Sequence, residues 1–307
     1  MYAWGPDTSN WKGSKSYKGF DSARARYDKL AASAPKSRIY TSRSSPDSAL
    51  VDPRGKTISS NSEDPIIIAV DVTGSMATWP GEIFDRLPLM YQTLSKYREG
   101  VEFSFAAIGD ATCDNYPLQA NNFGKGVDLE KHLKALCPEG GGGGQTMESY
   151  ELFGYFALNH CETPKAKSPF LIIFGDESFY DNVDPNQVKH YIGDTLEKEV
   201  SSKEIWNGLM QKFNLYLLHK PYGYGNESSV DKRIKENWAS VIGKQRVIDL
   251  PYEVELQDGT KMPGYQRAVD VAMGLIAKHW GEYGDFGKSL DARHDDPAVK
   301  KSVNSSL

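Results

Sequence analysis

The chain of 307 residues is long enough for one large domain with extensions or for two small domains. Its 39% hydrophobic and 11% aromatic residues are sufficient for a buried core, and its formal net charge of -5 argues against a nucleic-acid-binding protein. No apolar run approaches the length needed to cross a bilayer, and the first residues lack the basic and then apolar pattern of a secretion signal. We therefore expect a cytoplasmic protein.

The cysteines agree with that compartment. Cys113, Cys137 and Cys161 are an odd number without Cys-x-x-Cys spacing, which argues against a disulfide framework or a zinc site. We expect three reduced thiols.

Residues 1–63 are predicted to form a basic, Ser-rich N-terminal extension. The first 60 residues contain eleven Lys or Arg against five Asp. One helix is expected over Asp21–Ala34, because Asp21 can cap its start and the following residues favour helix. Trp4, Trp11 and Tyr17 argue against complete disorder. The extension either wraps its own domain or docks on an acidic partner or nucleic acid.

A short apolar run then stops abruptly at a carboxylate. Residues Pro65–Val70 read as a buried parallel strand, and Asp71, Thr73 and Ser75 follow on one turn. The carboxyl end of such a strand is where open α/β sheets bind ligands. Three hard oxygens at alternating positions suit Mg²⁺ better than zinc.

Helical and strand patterns alternate from there to residue 280. Alternation of this kind predicts an α/β fold, with a mostly parallel sheet covered by helices on both faces. A proline, Pro88, lies inside the first helical pattern and predicts a kink or a late helix start. The expected helices are Glu82–Tyr97, Val127–Cys137, Tyr150–Phe156, Leu196–Phe213, Asp231–Ile242 and Ala268–His279. The expected further strands are Val101–Ile108, a short edge strand at Tyr116–Ala120, Phe170–Phe174, Leu215–Leu218 and Arg246–Leu250. From Gly281 onward the Gly-, Asp- and Ser-rich composition predicts a polar tail that frays.

Five consecutive glycines, Gly140–Gly144, precede Gln145-Thr146. A linker does not normally lead directly into an aromatic-rich helix, so close approach of the backbone to an ion or ligand explains the run better. Neither this run nor Gly287-Lys288-Ser289 has the spacing of a phosphate-binding loop. Nucleotide binding is therefore disfavoured.

Three motifs together resemble the von Willebrand factor A (vWA) domain with its metal-ion-dependent adhesion site. That family has D-x-S-x-S after its first strand, a Thr after a Gly-rich loop and an Asp after its fourth strand. Here the first motif is Asp71-Val72-Thr73-Gly74-Ser75, with Thr73 in place of the first Ser. The segment Gly143-Gly144-Gln145-Thr146, expected to open a helix, is similar to the second motif. Asp176, which follows Phe170–Gly175, is similar to the third.

The resemblance implies a Rossmann-like vWA domain over residues 64–282, with one short antiparallel edge strand and a polar tail over 283–307. It also implies a Mg²⁺ ion, with Mn²⁺ or Ca²⁺ as alternatives, and an acidic side chain of a protein partner as a further ligand. Intracellular relatives are adaptors or assembly factors of larger complexes, including AAA+ ATPases. The metal ligands carried over are Asp71, Thr73, Ser75, Thr146 and Asp176.

Two carboxylates depart from the family pattern. Glu177 stands where many members have Gly after the last Asp, and it either adds a ligand or repels an acidic partner. Asp110 ends a strand on the same edge of the sheet and is expected to hydrogen-bond to the ligands rather than to bind the ion. Asp47 and Asp52 of the basic extension are candidates for occupying the site themselves.

Two other classes of function stay open at this stage. A strand-terminal Asp with Mg²⁺ also begins phosphoryl-transfer sites, in which Asp71 would be the nucleophile. Those sites have a second Asp two residues later, where this chain has Thr73, and the chain has no G-x-S-x-G motif of a serine hydrolase. The other class is a structural assembly subunit, in which the metal only stabilises the fold.

Overall fold

The structure is a computed structural model that describes residues 44–141, 146–222, 228–294 and 296–307. The helix expected over Asp21–Ala34 lies outside the described residues. So do Gly143, Gly144 and Gln145 of the second motif.

A six-stranded sheet forms the centre of the molecule. Its strand order is β6-β5-β4-β1-β2-β3, and every neighbouring pair is parallel except β2 with the edge strand β3. The predicted fold class is therefore confirmed as a Rossmann-like α/β fold with one short antiparallel edge strand. The strands are β1 Pro65–Asp71, β2 Glu102–Ile108, β3 Leu118–Ala120, β4 Phe170–Gly175, β5 Asn214–His219 and β6 Val247–Asp249.

The helices of eight or more described residues have the following bounds: α1 Trp79–Tyr97, α2 Asp128–Ala135, α3 Tyr150–Asn159, α4 Ser202–Lys212, α5 Ser229–Ile242, α6 Tyr265–Trp280, α7 Tyr283–Arg293 and α8 Pro297–Ser306. None of the helices in the described ranges is both long enough and apolar enough to cross a lipid bilayer.

Helices cover both faces of this sheet because the central strands are apolar on both sides. In β1, Ile66, Ile68 and Val70 belong to one buried cluster, while Ile67 and Ala69 belong to the other. Successive side chains of a strand point to opposite faces, so each face has its own core. Helices α1 and α6 contribute to the first core, and α3, α4 and α5 to the second.

Among the helix starts that differ from the sequence prediction, those of α1 and α4 have clear structural reasons. Helix α1 begins at Trp79, earlier than expected, because Pro80 fits the first turn, where its missing N–H costs nothing. Pro88 lies inside this helix, so the late start was wrong and the alternative, a kink, stays a prediction. Helix α4 begins at Ser202 rather than at residue 196, because Val200–Ser201 pairs as a short antiparallel strand with Asn182–Val183.

The expectation of a frayed C-terminal tail was also wrong. Residues 283–293 and 297–306 form α7 and α8, and they bury Phe286, Leu290, Val299 and Val303. These residues lie four positions apart within each helix, which places them on one face. The polar composition between them concealed this periodicity. The domain boundaries themselves stay predictions.

Candidate functional site

The turn after β1 gathers the first three candidate ligands. Asp71 ends the strand, and its Oδ1 accepts hydrogen bonds from the amide of Thr73 at 2.9 Å and from its hydroxyl at 2.6 Å. The chain then forms a 3₁₀ turn over Gly74–Met76, which places the Ser75 hydroxyl 3.2 Å from that of Thr73. Asp71 and Thr73 are buried and Ser75 is half-buried, so the oxygens are fixed at the edge of solvent.

A fourth candidate, Asp176, joins this turn from the neighbouring strand. It follows β4 directly, and its Oδ1 accepts a hydrogen bond from the Ser75 hydroxyl at 2.9 Å. Strands β1 and β4 are adjacent and parallel, so their carboxyl ends lie at the same edge of the sheet. The structure thus brings Asp71, Thr73, Ser75 and Asp176 into one hydrogen-bonded group.

Thr146, the fifth candidate, has a different partner. Its hydroxyl accepts a hydrogen bond from Arg233 of α5 at 2.6 Å, and its carbonyl accepts one from the amide of Ser178. Among the contacts of the described residues, none joins Thr146 to the other four candidates. Thr146 precedes the short strand Met147–Glu148 rather than a helix, so that part of the expectation was wrong.

The start of the glycine run packs against the same turn. The amide of Gly74 donates to the carbonyl of Gly141 at 2.5 Å, and the amide of Gly140 donates to the carbonyl of Val72 at 2.9 Å. A Cβ atom on Gly141 would lie 1.8 Å from Oδ1 of Asp114, which leaves no room for a side chain. The start of the run therefore packs on the turn that carries the candidate ligands, and the expected approach of the backbone to an ion or ligand stays a prediction.

Sequence reasoning missed a lysine inside the site. The Lys220 ammonium donates to Asp176 Oδ2 at 2.7 Å, and the two side chains are 7% and 0% exposed. Lys220 directly follows β5, whose neighbour in the sheet is β4. The sequence shows only that Lys220 follows a predicted strand, and this position does not predict an ion pair with Asp176.

A tyrosine holds the other side of Asp71. The Tyr150 hydroxyl, at the start of α3, donates to Asp71 Oδ2, and the ring is fully buried. Gly175, the last residue of β4, makes room for it, because a Cβ there would lie 2.1 Å from the Tyr150 hydroxyl oxygen. The last glycine of β4 and the first residue of α3 therefore position the Asp71 carboxylate together.

We expect Gly175→Ala to lower the free energy of unfolding by about 1–3 kcal/mol, since the new methyl group displaces a buried ring that has no free space. Urea denaturation measures this loss. Gly287→Ala is the matched control: Gly287 lies inside α7, where an added Cβ atom would have no neighbour within 4 Å, so the change should leave stability unchanged or slightly higher. Equal stabilities of wild type and Gly175→Ala would contradict the close contact.

The electrostatics of the group are unfavourable to two ionised aspartates. Burial, followed by the negative charge of Asp176, raises the pKa of Asp71 to about 7. Burial and the neighbouring charges of Asp71 and Asp176 also raise the pKa of Tyr150, so its hydroxyl stays a donor. The site carries more negative charge than its own lysine neutralises.

Asp110, expected near the ligands, is held by hydrogen bonds from its own loop and from more distant segments. It accepts hydrogen bonds from the Thr112 amide at 3.0 Å, the Thr112 hydroxyl at 2.6 Å and the Tyr180 hydroxyl at 3.1 Å. The hydroxyl of Ser149, one residue before α3, lies 3.4 Å from the same carboxylate. Its predicted support of the metal ligands stays a prediction.

Two glutamates complete this edge of the sheet. Glu177 accepts a hydrogen bond from the Tyr222 hydroxyl, and burial raises the pKa of Glu177 although this hydrogen bond acts in the opposite direction. Glu148, which sequence reasoning did not single out, is 2% exposed. Burial and the charges of Asp71, Glu177 and other carboxylates raise the pKa of Glu148 to about 10.

The donor set fits a hard divalent cation. Two carboxylates and two hydroxyls meet at one point, and all are oxygen ligands of the kind that Mg²⁺ prefers. Within the described ranges, no three His, Cys, Asp or Glu side chains are grouped so as to hold a metal ion. An ion here would therefore depend on hydroxyl and water oxygens as well as on Asp71 and Asp176.

No protein-family model matches this chain, and no curated protein is similar to it. Among solved structures, it is similar to the pilus adhesin SpaC from Lactobacillus rhamnosus GG in its open conformation, with a TM-score of 0.47 and 12% identity. The match covers 74% of this chain and 31% of the adhesin. Proximal thread matrix protein 1 from the mussel byssus matches with a TM-score of 0.45 and 11% identity, over 72% of this chain and 48% of that protein. The chain thus spans less than half the length of either protein.

Proposed function

We propose that this chain carries a vWA-type domain that binds Mg²⁺ at Asp71, Thr73, Ser75 and Asp176, and that the ion holds an acidic side chain of a partner protein. The observation that carries the proposal is the 2.9 Å hydrogen bond from Ser75 to Asp176. It joins the carboxyl ends of two neighbouring parallel strands, and this edge is where open α/β sheets bind their ligands.

The chemistry of the donors supports an exchangeable ligand from a partner. Mg²⁺ requires six oxygens in octahedral geometry, and hydroxyls bring no negative charge to it. A bound ion would supply an electrostatic anchor for a carboxylate. Thr146 would join the ligands by giving up its hydrogen bond from Arg233. Mn²⁺ and Ca²⁺ accept the same oxygen donors, so either would serve as an alternative ion.

The role proposed for such binding is that of an adaptor or assembly factor of a larger intracellular complex, with an AAA+ ATPase as one candidate partner. This part rests on the resemblance of the three motifs to the vWA family.

One observation favours a second candidate, a structural assembly subunit that needs no metal to bind its partner. Lys220 already places a positive charge 2.7 Å from Asp176. A buried lysine can neutralise one carboxylate of the group and stabilise the fold in place of an ion. The experiment that tests the proposal must therefore separate metal-dependent from metal-independent binding.

We expect capture of the natural partner by the tagged full chain to require Mg²⁺, to fail in EDTA and to fail for Asp176→Ala. Ser75→Ala is a milder second variant, because it removes one hydroxyl ligand without leaving Lys220 unpaired. Circular dichroism checks that each variant is folded, and Mn²⁺ paramagnetic resonance measures whether the ion itself is bound.

Asp194→Asn is the matched control, since Asp194 hydrogen-bonds Tyr155 and His160. His160 follows the far end of α3, about 15 Å along the helix from Tyr150, so this change should leave capture intact. Capture of the same partner in EDTA and by folded Asp176→Ala would reject the metal bridge and favour the structural subunit.

A further inference from the structure

Two glutamates beside the proposed metal site meet next to a short strand pair. Met147–Glu148 pairs in parallel with Ser178–Phe179, and Glu148 lies opposite Phe179. Glu177 directly precedes Ser178, and its carboxyl group lies within hydrogen-bonding reach of that of Glu148. The two carboxyl groups therefore meet beside this pair.

Both carboxyl groups are buried with oxygen atoms that lack partners. The side chains belong to residues that are 2% and 4% exposed. Glu177 Oε1 accepts the hydrogen bond from Tyr222, and the carboxyl groups of Glu177 and Glu148 lie within hydrogen-bonding reach of each other. Oε2 of Glu177 and Oε2 of Glu148 accept no hydrogen bond from any other group of the described residues. A buried carboxylate whose oxygen accepts no hydrogen bond is strongly unfavourable unless a cation or a proton neutralises its charge.

The surroundings add negative charge rather than remove it. Among the neighbouring charges, Asp71 and Glu177 act most strongly on Glu148, and Asp110 and Asp114 add to their effect. Lys220 is already paired with Asp176, and Arg233 donates to the Thr146 hydroxyl rather than to either glutamate. A single divalent ion at Asp71 and Asp176 would leave the two glutamates without a positive charge of their own.

We propose that Glu148 and Glu177 bind a second divalent cation next to the one at Asp71, with water molecules completing its coordination. Their oxygens are hard donors of the type that Mg²⁺, Mn²⁺ and Ca²⁺ bind. This inference rests on the proposed function and extends it, because the second ion cancels negative charge that would otherwise repel the carboxylate of a partner.

Equilibrium dialysis of the full chain against Mn²⁺, with the bound metal counted by mass spectrometry, tests the proposal. Wild type is expected to bind two ions per chain, and the double variant Glu148→Gln with Glu177→Gln is expected to bind one. Asp71→Asn is expected to lose the other ion while keeping the one at the glutamates. Circular dichroism confirms that each variant is folded.

Glu151→Gln is the matched control. Glu151 is also a buried glutamate of this region, with Oε2 bonded to the Tyr180 amide at 3.0 Å and Oε1 without a partner among the described residues. It lies in α3, however, and the carboxylate that acts on it is Asp110 rather than Asp71. The control should still bind two ions. The second site would be overturned if wild type bound one ion, the double variant kept that ion and Asp71→Asn lost it. The proposed function would then stand, and the two glutamates would share a proton instead of an ion. Binding of no ion by wild type would overturn both.

Discussion

Replacing Lys220 by methionine is expected to lower the free energy of unfolding of the metal-free protein by about 3–5 kcal/mol. The Lys220–Asp176 pair is buried, so removing the ammonium leaves Asp176 beside Asp71 without a neutralising charge. The same change is expected to strengthen Mn²⁺ binding roughly tenfold or more, since the ion no longer meets a second cation next to its ligand. If the substitution lowers the stability of the metal-free protein and raises its affinity for Mn²⁺, then the Lys220 ammonium competes with the metal ion for Asp176.

Urea unfolding in EDTA measures the first effect, and a Mn²⁺ titration followed by paramagnetic resonance measures the second. Lys212→Met is the matched control, because Lys212 is also partly buried but donates to the carbonyls of Leu158 and Cys161, at the far end of α3 and just beyond it. It should lose stability without changing the Mn²⁺ affinity. Weaker Mn²⁺ binding by Lys220→Met would mean that Lys220 supports the site rather than competes with the ion.

The sequence predicted the candidate ligands that follow directly after buried strands. Asp71, Thr73 and Ser75 lie within five residues at the end of an unmistakably buried strand, so their turn follows from spacing. Asp176 follows a second such strand. Parallel strands end at the same edge of a sheet, and this rule alone brings the two segments together.

The unpredicted part depends on contacts between segments distant in sequence. Lys220 meets Asp176 across 44 positions, and Tyr150 meets Asp71 across 79. No spacing rule connects such pairs, because their distance is set by the packing of α3 and by the neighbouring strands. Thr146 comes soon after a run of glycines, which accept many backbone conformations, so the sequence does not predict where its side chain lies.

Asp71→Asn is expected to stabilise the metal-free protein and to lose the part of the stabilisation by Mg²⁺ that comes from the ion at Asp71. The pKa of Asp71 is raised to about 7, so the folded state holds this proton more tightly than the unfolded state does. The stability that this group contributes is fully present below about pH 4 and is lost as the pH rises through 7. Asparagine carries no charge to desolvate, so the advantage of the variant in EDTA should grow from near zero at pH 4 to on the order of 4 kcal/mol at pH 8.

Mg²⁺ acts against this order if Asp71 is a ligand, because only wild type gains free energy from an ion bound at Asp71. Unfolding by urea at pH 4, 6 and 8, with EDTA or with Mg²⁺, measures both effects. Glu151→Gln separates them: burial raises the pKa of Glu151 to about 8, so this variant should also gain stability with rising pH in EDTA, yet keep its response to Mg²⁺. An Asp71→Asn protein that Mg²⁺ stabilises as much as wild type would remove Asp71 from the metal site. A gain in EDTA together with a weaker response to Mg²⁺ than that of wild type would mean that the charge of Asp71 serves the ion and destabilises the metal-free fold.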